Sequence, residues 1–541
     1  MKINNISYTT IHEEKISIDF KSSTEKNSDN VYSIVIGNNG SGKTAIIEAI
    51  LRLFSTRYQK NYGNFISKSS LITNDGKKLY FDSQIGDDTS KENYINKVES
   101  LPIKRIVVST YSPYDRILIN KSKRQSKGLD TDYIDVFYPE NDSVNVQSLV
   151  SSSYLKNILS GNNRAVEELG EIIGFKSEGI LMHLSRLPSM SGRQLRVILE
   201  DLDQYDTNKL NQLANERLDI LGVNRKEYID IFKITTEEAG KTNMKMALQD
   251  IVNKNRRPIK DRDQLIILLA ILSEIKDLLI KYKRINSKES AGLPKTQLLD
   301  FEELIKSYTT WYKKDFDSDL NSKQVMNLLR IDIEILEIMK IFMVNNLVLN
   351  RRNDSVTIDN LSSGEFSLFA RIMELYSSVE ENSLVLIDEP ETHLNPKWIY
   401  EYMYLLHKLF EGKKSHFIIM SQSPFIVGSA KKEDIVLMKK VFGSQGEVTK
   451  IENIHNETLG ALYNRILCDA FDIDYSDNKI SSNYIRNIKS IAKTDFLRAI
   501  ELSTDLAETP QKTKLMNELF SDENFFNVEE QIKKMEGNLD V

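Results

Sequence analysis

Apolar and polar residues alternate along two separate parts of the chain, and in both parts the pattern predicts short β-strands. In the first 140 residues, strands are predicted at Ile3–Tyr8, Lys15–Phe20, Val31–Ile36, Arg105–Thr110 and Tyr133–Phe137, with a helix at Ala45–Phe54. From 346 to 455, strands are predicted at Leu347–Leu349, Ser355–Ile358, Ser383–Ile387, His416–Met420 and Asp434–Met438, with a helix at Pro396–Phe410. We expect residues 1–140 and 346–455 to be two halves of one mixed sheet in an α/β domain.

Between these parts the pattern changes to that of amphipathic helices. The clearest examples are Arg193–Leu221, Asp263–Tyr282 and Ser322–Asn345. Glycines and loop residues interrupt the segment, and no heptad pattern is sustained as a long coiled coil would require. Residues 141–345 are therefore predicted to be a compact α-helical insertion, and residues 456–541 a helical C-terminal region that is a candidate for partner docking.

Composition and charge narrow the class of protein. With 541 residues, 40% of them hydrophobic and 28% charged, the chain is expected to fold into two to four domains. The net charge of −6 gives no overall attraction to nucleic acid, so DNA contact would depend on local patches or on a larger assembly. Basic clusters at residues 121–127 and 254–260 could contact phosphates, although solvated loops are the more common outcome for such runs.

Other features favour a cytoplasmic protein without a membrane partner. The apolar run Leu265–Leu272 is too short to span a bilayer, and the N-terminus lacks the pattern of a secretory signal. The single cysteine, Cys468, allows no internal disulfide, which suits a reducing compartment. Its position on an amphipathic stretch predicts that it packs in a core.

Residues 37–44, Gly-Asn-Asn-Gly-Ser-Gly-Lys-Thr, match the P-loop pattern between a predicted strand and a predicted helix. In such a loop, backbone N–H groups at a helix N-terminus surround phosphate oxygens. Lys43 adds a positive charge and is a predicted catalytic residue, and Thr44 is a predicted ligand of Mg²⁺. The predicted ATP-binding residues of this loop are Asn38, Asn39, Gly40, Ser41, Gly42, Lys43 and Thr44.

An acidic pair follows the apolar run 384–387. Asp388 and Glu389 are therefore expected at the end of a buried strand, where Asp388 can hold Mg²⁺ through water. Glu389 is the predicted catalytic residue that orients or deprotonates the attacking water. The cofactors expected from these residues are ATP and Mg²⁺.

The pentapeptide Leu-Ser-Ser-Gly-Glu at 361–365 precedes a predicted helix and forms a second candidate for phosphate binding. Ser362, Gly364 and Glu365 are its predicted ATP-binding residues. Alone, such a segment is more often an ordinary helix cap. Its place between the insertion and the acidic pair makes the nucleotide interpretation stronger.

Together, these motifs resemble the ABC-type ATPase head of SMC, Rad50, RecF and OLD-like proteins, over roughly residues 1–140 and 346–440. The resemblance implies a homo-oligomer of at least two heads. In such an oligomer the pentapeptide 361–365, called the signature segment below, closes over ATP held by the P-loop of another chain. It also implies a D-loop at 391–396 that crosses this interface, with His393 and Asn395 as its candidate residues.

Two positions depart from that family pattern. Where the family usually has a histidine that contacts the γ-phosphate, this chain has Gln422, which can hydrogen-bond phosphate but carries no charge. Gln422 is a predicted catalytic residue, and its presence predicts slow turnover. The expected Q-loop glutamine is also missing near Ser109–Ser112.

A narrower resemblance, at residues 108–116, 421–427 and 457–460, is to the PtuA-type ATPase of Septu antiviral systems, which also occurs in some retrons. It implies a separate HNH nuclease subunit as partner, and in retron versions a reverse transcriptase with its RNA–DNA. Two alternatives stay open: a DNA-repair ATPase of the RecF or SMC kind, and the ATPase of a defence system with a TOPRIM effector.

We expect no nuclease centre in this chain. The six histidines show neither an H-N-H pattern nor paired ligand spacing. The nearest acidic D-x-D pattern, Asp472 and Asp474, follows an amphipathic helix directly, which favours solvated acids over a TOPRIM site.

Overall fold

The computed structural model describes residues 2–10, 13–20, 30–38, 40–54, 66–82, 103, 105–110, 146–161, 164–184, 207–229, 267–268, 270–272, 274–275, 297–315, 320–339, 344–351, 354–443, 446–473 and 479–520. By density of contacts the chain divides into a first unit, Met1–Asn453, and a second unit, Ile454–Val541. The domain boundaries expected from sequence at 140, 345 and 455 stay predictions.

Among the described residues, the strands of the first unit form three sheets. Those strands are β1 (Ile3–Thr10), β2 (Lys15–Asp19), β3 (Val31–Gly37), β4 (Ile66–Thr73), β5 (Lys78–Asp82), β6 (Arg105–Thr110), β7 (Lys176–Leu184), β8 (Gln297–Asp300), β9 (Val344–Arg351), β10 (Asp354–Thr357), β11 (Ser383–Asp388), β12 (His416–Ser421), β13 (Ile435–Gly443) and β14 (Gly446–Asn453). The strand orders are β2-β1-β4-β5, β10-β9-β7-β8 and β14-β13-β3-β12-β11-β6.

The helices lie between and around these strands. In the first unit they are α1 (Lys43–Phe54), α2 (Val146–Leu159), α3 (Arg164–Ile173), α4 (Thr207–Leu221), α5 (Phe301–Asp315), α6 (Ser322–Ile338), α7 (Ser363–Ser378), α8 (Pro396–Leu409) and α9 (Pro424–Val427). The second unit contains α10 (Tyr463–Phe471), α11 (Lys479–Ala492), α12 (Phe496–Ser503) and α13 (Pro510–Leu519).

The six-stranded sheet unites the two α/β parts of the sequence. Strand β3 pairs in parallel with β12 and β13, β12 with β11, and β11 with β6, while β14 closes the edge antiparallel to β13. The prediction of a mixed α/β fold with one mixed sheet built from both halves is confirmed. Because the five parallel strands end at the same edge, residues that follow β3, β11 and β12 are brought together there.

Helix α1 lies between the six-stranded sheet and the antiparallel sheet β2-β1-β4-β5. Its apolar residues, such as Ile46 and Ile50, are fully buried in one core with Ile6 and Ile18 of the antiparallel sheet and Leu386 of the six-stranded sheet. Burial on nearly all sides explains why α1 is apolar around most of its circumference. This packing fixes the start of α1, and with it the P-loop.

The segment 141–345 differs from the sequence prediction in two ways. It contains strands β7 and β8 in addition to helices, and both join the antiparallel sheet that β9 enters from the following segment. Helix α6 ends at Ile338, whereas the apolar spacing predicted a helix through Asn345. Asn345 lies in β9 because pairing with β7 overrides the local helical pattern.

The second unit is a small helical region with its own core. Ile488, Phe496, Ala499, Leu515 and Leu519 form this core between α11, α12 and α13. Cys468 of α10 is exposed, so the prediction that it packs in a core was wrong. Within the described ranges, no helix has the length and apolarity needed to cross a membrane.

Candidate functional site

The P-loop connects β3 to α1 at the carboxyl edge of the six-stranded sheet. Gly37 has no room for a side chain, since a Cβ there would lie 2.4 Å from Ser41 Oγ and 2.6 Å from the Met438 carbonyl oxygen. Gly40 and Gly42 have φ angles of 77° and 94°, a backbone conformation that favours glycine. The glycine pattern therefore results from the close approach to β13 and from the turn into α1. Asn39 lies outside the described residues.

Lys43 bends back over the loop. Its Nζ donates hydrogen bonds to the carbonyl oxygens of Gly37, at 2.6 Å, and Asn38, at 3.3 Å. Burial lowers the pKa of Lys43, and the nearby carboxylates of Asp388 and Glu389 oppose that shift. A lysine in these surroundings stays close to the position that a phosphate group would occupy.

Thr44 and Asp388 meet across 344 residues of sequence. The Thr44 hydroxyl donates to Asp388 Oδ2 at 2.9 Å, and Asp388 is almost completely buried at the end of β11. A hydroxyl and a carboxylate are oxygen donors that Mg²⁺ accepts, and this ion commonly takes its other ligands from phosphates and water. In the part of the chain that the structure describes, no group of three or more acidic, histidine or cysteine side chains could hold a metal. The chemistry of the Thr44–Asp388 pair therefore fits Mg²⁺ that takes its remaining ligands from phosphate and water.

Glu389 occupies a strained position directly after β11. Its φ angle of 49° is in the left-handed region, which costs a non-glycine residue about 1 kcal/mol. The backbone N–H of Glu389 donates to the carbonyl of Met420 at 2.9 Å, which continues the pairing of β11 with β12. Thr392 Oγ1 lies 3.5 Å from Glu389 Oε2. Strain of this kind is common in active sites, where the surrounding structure holds a side chain in a required direction.

Gln422 follows β12 at the same edge of the sheet. Its backbone N–H donates to Glu391 Oε1 at 2.7 Å, and its side chain is half-buried. Burial raises the pKa of Glu391, despite the hydrogen bond from Gln422. The structure thus places Asp388, Glu389 and Gln422 at the ends of the neighbouring strands β11 and β12, and Lys43 at the start of α1. The catalytic roles of Lys43, Glu389 and Gln422 stay predictions.

The signature segment begins α7 with a reciprocal cap. Ser362 Oγ accepts from the Glu365 N–H at 3.3 Å, and Glu365 Oε2 accepts from the Ser362 N–H at 2.9 Å. Glu365 also forms an ion pair with Arg351 at 2.7 Å. Burial raises the pKa of Glu365, but the hydrogen bonds from Ser362 and Arg351 outweigh it and the net shift is downward. The Glu365 carboxylate is therefore engaged in shaping the helix start.

Gly364 allows residues 361–365 to pack against the segment 391–396, the predicted D-loop. A Cβ on Gly364 would lie 2.4 Å from Trp398 Cζ3 and 3.2 Å from the His393 carbonyl oxygen. His393 is exposed with a φ angle of 65°, and Asn395 caps α8 by accepting from the Trp398 N–H at 3.0 Å. The two segments form one continuous surface of the chain.

Two functional candidates were missed by sequence reasoning. Arg371, on α7, is fully buried and donates to the carbonyls of Pro390 and Thr392. Glu391 contacts the loop after β12. The available signals were a charged residue among the apolar positions of the helix Ser363–Ser378 and a third carboxylate two residues after the acidic pair.

Several sequence predictions fall where the structure makes no statement. The basic clusters at 121–127 and 254–260 lie outside the described residues, as do the predicted strand Tyr133–Phe137 and most of the stretch 108–116. Asp474 also lies outside them. Asp472 is exposed and caps the C-terminus of α10 with a φ angle of 54°.

The fold and this site define a P-loop nucleotide-binding protein, and a family model specifies the class further. Residues 33–428 match the family AAA_21, described as "AAA domain, putative AbiEii toxin, Type IV TA system". The match spans most of the chain, so the chain belongs to this family.

Individual relatives are distant. The chain is 22% identical over 436 residues to "Retron Vc95 probable ATPase" of Vibrio cholerae, covering 77% of this chain and 70% of that protein. It is 29% identical over 161 residues to "Protein ea59" of Escherichia phage lambda, covering 27% of this chain and 30% of that protein. The chain thus spans less than a third of the phage protein.

Solved structures with some likeness include SMC head domains bound to domains of ScpA. One, in complex with the C-terminal winged-helix domain of ScpA, aligns with 84% of this chain and 98% of its own at 9% identity and a TM-score of 0.28. Another, derived from Pyrococcus furiosus, has 11% identity and a TM-score of 0.28. At these TM-scores the likeness adds nothing to the observed sheet order.

Proposed function

We propose that this chain binds ATP with Mg²⁺ and hydrolyses it slowly, as the ATPase subunit of an antiphage defence complex. The observation that carries the ATPase part is the 2.9 Å contact between Thr44 and Asp388. It joins the start of α1 to the end of β11, so that the phosphate loop and the acidic pair form one site. Family membership and the retron relative support the same class.

Each residue has a role in this proposal. The P-loop residues 38–44 bind the phosphates, Thr44 and Asp388 hold Mg²⁺, and Lys43 balances charge on the phosphates. When bound, Mg²⁺ would neutralise charge on the phosphate oxygens of ATP; water attacks the γ-phosphorus and the bond to ADP breaks. Glu389 orients that water and accepts its proton. Gln422 contacts phosphate as a neutral donor, which stabilises developing charge less than an imidazolium does and explains slow turnover.

We propose that ATP is bound between two copies of this chain. Ser362, Ser363 and His393 are exposed, and Gly364 packs against the carbonyl of His393, so signature and D-loop face outward together. A helix N-terminus on that surface suits a phosphate held by another subunit. Ser362, Gly364, His393 and Asn395 are thus proposed to act on the partner's nucleotide, with Glu365 shaping the helix start.

A mixing experiment tests the shared site. K43M disables the P-loop and S362R disables the signature surface, so we expect either variant alone to lose hydrolysis. In a mixed dimer, the intact P-loop of the S362R chain meets the intact signature of the K43M chain, and hydrolysis should partly return. Mixing K43M with E389Q is the matched control, because every site then lacks either Lys43 or Glu389. Recovery in the control, or none in the test, would contradict the shared site.

The defence role is a proposal about partners. We propose an HNH nuclease subunit as the cutting partner, with a reverse transcriptase and its RNA–DNA present if the system is a retron, and DNA contact made through the assembly. Isolating the chain at native expression and identifying the proteins and nucleic acids that co-purify tests this directly. Repair factors alone would favour a RecF-like or SMC-like ATPase, and a TOPRIM protein would favour the third possibility.

The second unit is the proposed docking site for the nuclease subunit. Leu462 and Ile480 are 79% and 83% exposed, unusual values for large apolar side chains. L462D should weaken capture of the nuclease subunit while ATP hydrolysis by the isolated chain stays at the wild-type rate. N464D, a change at an exposed polar residue of α10 two positions along the chain from Leu462, is the matched control. If the double variant L462D/I480D captures the nuclease subunit as well as wild type does, this surface is excluded as the docking site.

A further inference from the structure

One carboxylate at the ATP site has no part in the proposed chemistry. Glu391 lies three residues after Asp388, and its Oε1 accepts the backbone N–H of Gln422 at 2.7 Å. Ser421, the last residue of β12, accepts the backbone N–H of Ser423 with its hydroxyl oxygen at 2.9 Å, so the turn after β12 is itself ordered. Glu391 therefore ties the segment after β11 to the segment after β12.

The backbone around Glu391 is in turn held from the signature helix. Arg371 of α7 has no exposed surface and donates to the carbonyls of Pro390 and Thr392, one on each side of Glu391. A guanidinium presents donors in a rigid planar fork, so it fixes both peptide groups at once. Burial removes the water that would otherwise solvate the charge of Arg371. The two carbonyl groups take the place of that water, so the arginine is held to this turn.

We propose that Arg371 and Glu391 are positioning residues that connect the signature helix to Gln422. Arg371 fixes the turn that carries Glu391, and Glu391 fixes the backbone of Gln422 at the edge where ATP would bind. A displacement of α7 would reach Gln422 through these two contacts in series. The kinetic consequence rests on the proposed ATP hydrolysis, whereas the contacts themselves do not.

Two substitutions at Glu391 separate positioning from direct chemistry. E391Q keeps an oxygen acceptor for the Gln422 N–H and removes the charge, whereas E391L keeps the approximate size and removes the acceptor. We expect E391L to lower kcat about tenfold, the effect of losing about 1.4 kcal/mol, with the Kd for ATP unchanged. E391Q should keep kcat close to that of wild type. E401L, at a half-buried glutamate of α8, is the control for the substitution itself.

Hydrogen exchange at the Gln422 amide gives a readout that needs no turnover. The peptide spanning residues 416–427 should exchange faster at this amide in E391L than in wild type or E391Q, with and without ATP. R371K should produce the same change to a smaller degree, because lysine can hold only one of the two carbonyls well. If wild type hydrolyses no ATP, the proposed function fails, and exchange still decides whether Glu391 positions Gln422.

The series arrangement makes its own prediction. The double variant R371K/E391L should be no slower in kcat, and no faster in exchange at Gln422, than E391L alone. If R371K and E391L instead lower kcat by factors that multiply in the double variant, Arg371 does not act through Glu391. The positioning role of Glu391 is wrong if E391L keeps the wild-type kcat and the wild-type exchange rate at the Gln422 amide. It is also wrong if E391Q is as slow in kcat as E391L. If R371K does not fold, the two Glu391 variants still decide the proposal.

Discussion

The two edges of the six-stranded sheet show how the same strands serve different purposes at their two ends. At the amino edge, polar groups are buried and paired with each other. Asn30 donates to the Phe410 carbonyl at 2.5 Å and accepts from the Ser415 N–H at 2.9 Å. His416 Nδ1 accepts from the Ile3 N–H at 3.0 Å, and its other ring nitrogen bonds Ser33 Oγ at 2.9 Å.

At the carboxyl edge, polar and charged groups are brought together and several are left accessible. Thr44 and Asn38 are exposed, and Glu389 and Gln422 are half-buried. Left-handed backbone angles of non-glycine residues occur next to the sheet at both edges, so they do not separate the two edges. Closed hydrogen-bond networks stabilise and specify a fold, whereas accessible polar and charged groups stay available to a ligand. The strands are alike at both ends, so the difference between the edges lies in the loop residues that flank them.

The largest expected effect is on ATP hydrolysis, in a matched pair of substitutions with one at each edge of the sheet. E389Q, at the carboxyl edge, should reduce ATP hydrolysis by about 10²- to 10⁴-fold, because the acceptor for the proton of water is lost. ATP binding should persist. E380Q is the control at the amino edge, where Glu380 is half-exposed and pairs with Arg105 at 2.9 Å. Steady-state hydrolysis and ATP titration measure both, and equal losses in the two variants would contradict the comparison.

Stability should depend on pH through the amino edge. Burial lowers the pKa of His416 to about 3, against about 6.5 in an unfolded chain. The folded state binds this proton less tightly than the unfolded chain does. The free energy of unfolding therefore decreases as the pH falls below 6.5, and it goes on decreasing until about pH 3. From pH 6.5 to 5 the loss is about 2 kcal/mol from this group.

Urea unfolding at several pH values measures this dependence. H416N should unfold at lower urea overall but with a smaller change between pH 6.5 and 5. H455N, at an exposed histidine, is the control and should keep the wild-type slope. A wild-type slope in H416N would show that other groups carry the acid sensitivity.

N30A tests the closed network without any titration. It leaves the Ser415 N–H without its acceptor and the Phe410 carbonyl with only the Lys413 N–H, which should lower the free energy of unfolding by about 2 kcal/mol. Hydrolysis per folded molecule should not change. N74A, at an exposed loop, should cost far less. A loss of hydrolysis in folded N30A would mean that the two edges are not independent.

The smallest expected effect concerns the identity of residue 422. Q422H introduces a side chain that can carry a positive charge at the proposed phosphate position, and hydrolysis should increase by up to about tenfold at pH 6.5. The increase should shrink as pH rises and the imidazole becomes neutral. Q422N is the control, because it stays neutral at every pH. An unchanged rate in Q422H would remove Gln422 as the cause of slow turnover.

Much of this edge was predictable because local sequence determines it. The strand before Gly37, the glycines at 40 and 42, and the run of apolar residues before Asp388 depend on neighbours in sequence. Strands β4, β5, β7, β8 and β14 were not predicted, because their stability comes from pairing with distant strands rather than from a strong local pattern. The helix predicted through Asn345 failed for the same reason.

The sequence by itself determined that a phosphate loop and an acidic pair are present, since each motif needs only a few adjacent residues. Tertiary structure decided that Thr44 meets Asp388, that Glu391 accepts a hydrogen bond from the backbone of Gln422, and that Arg371 holds the turn that carries Glu391. These contacts join residues 19 to 344 positions apart in the chain. Only the parallel order of β3, β12 and β11 brings them to one edge, and no local pattern encodes that order.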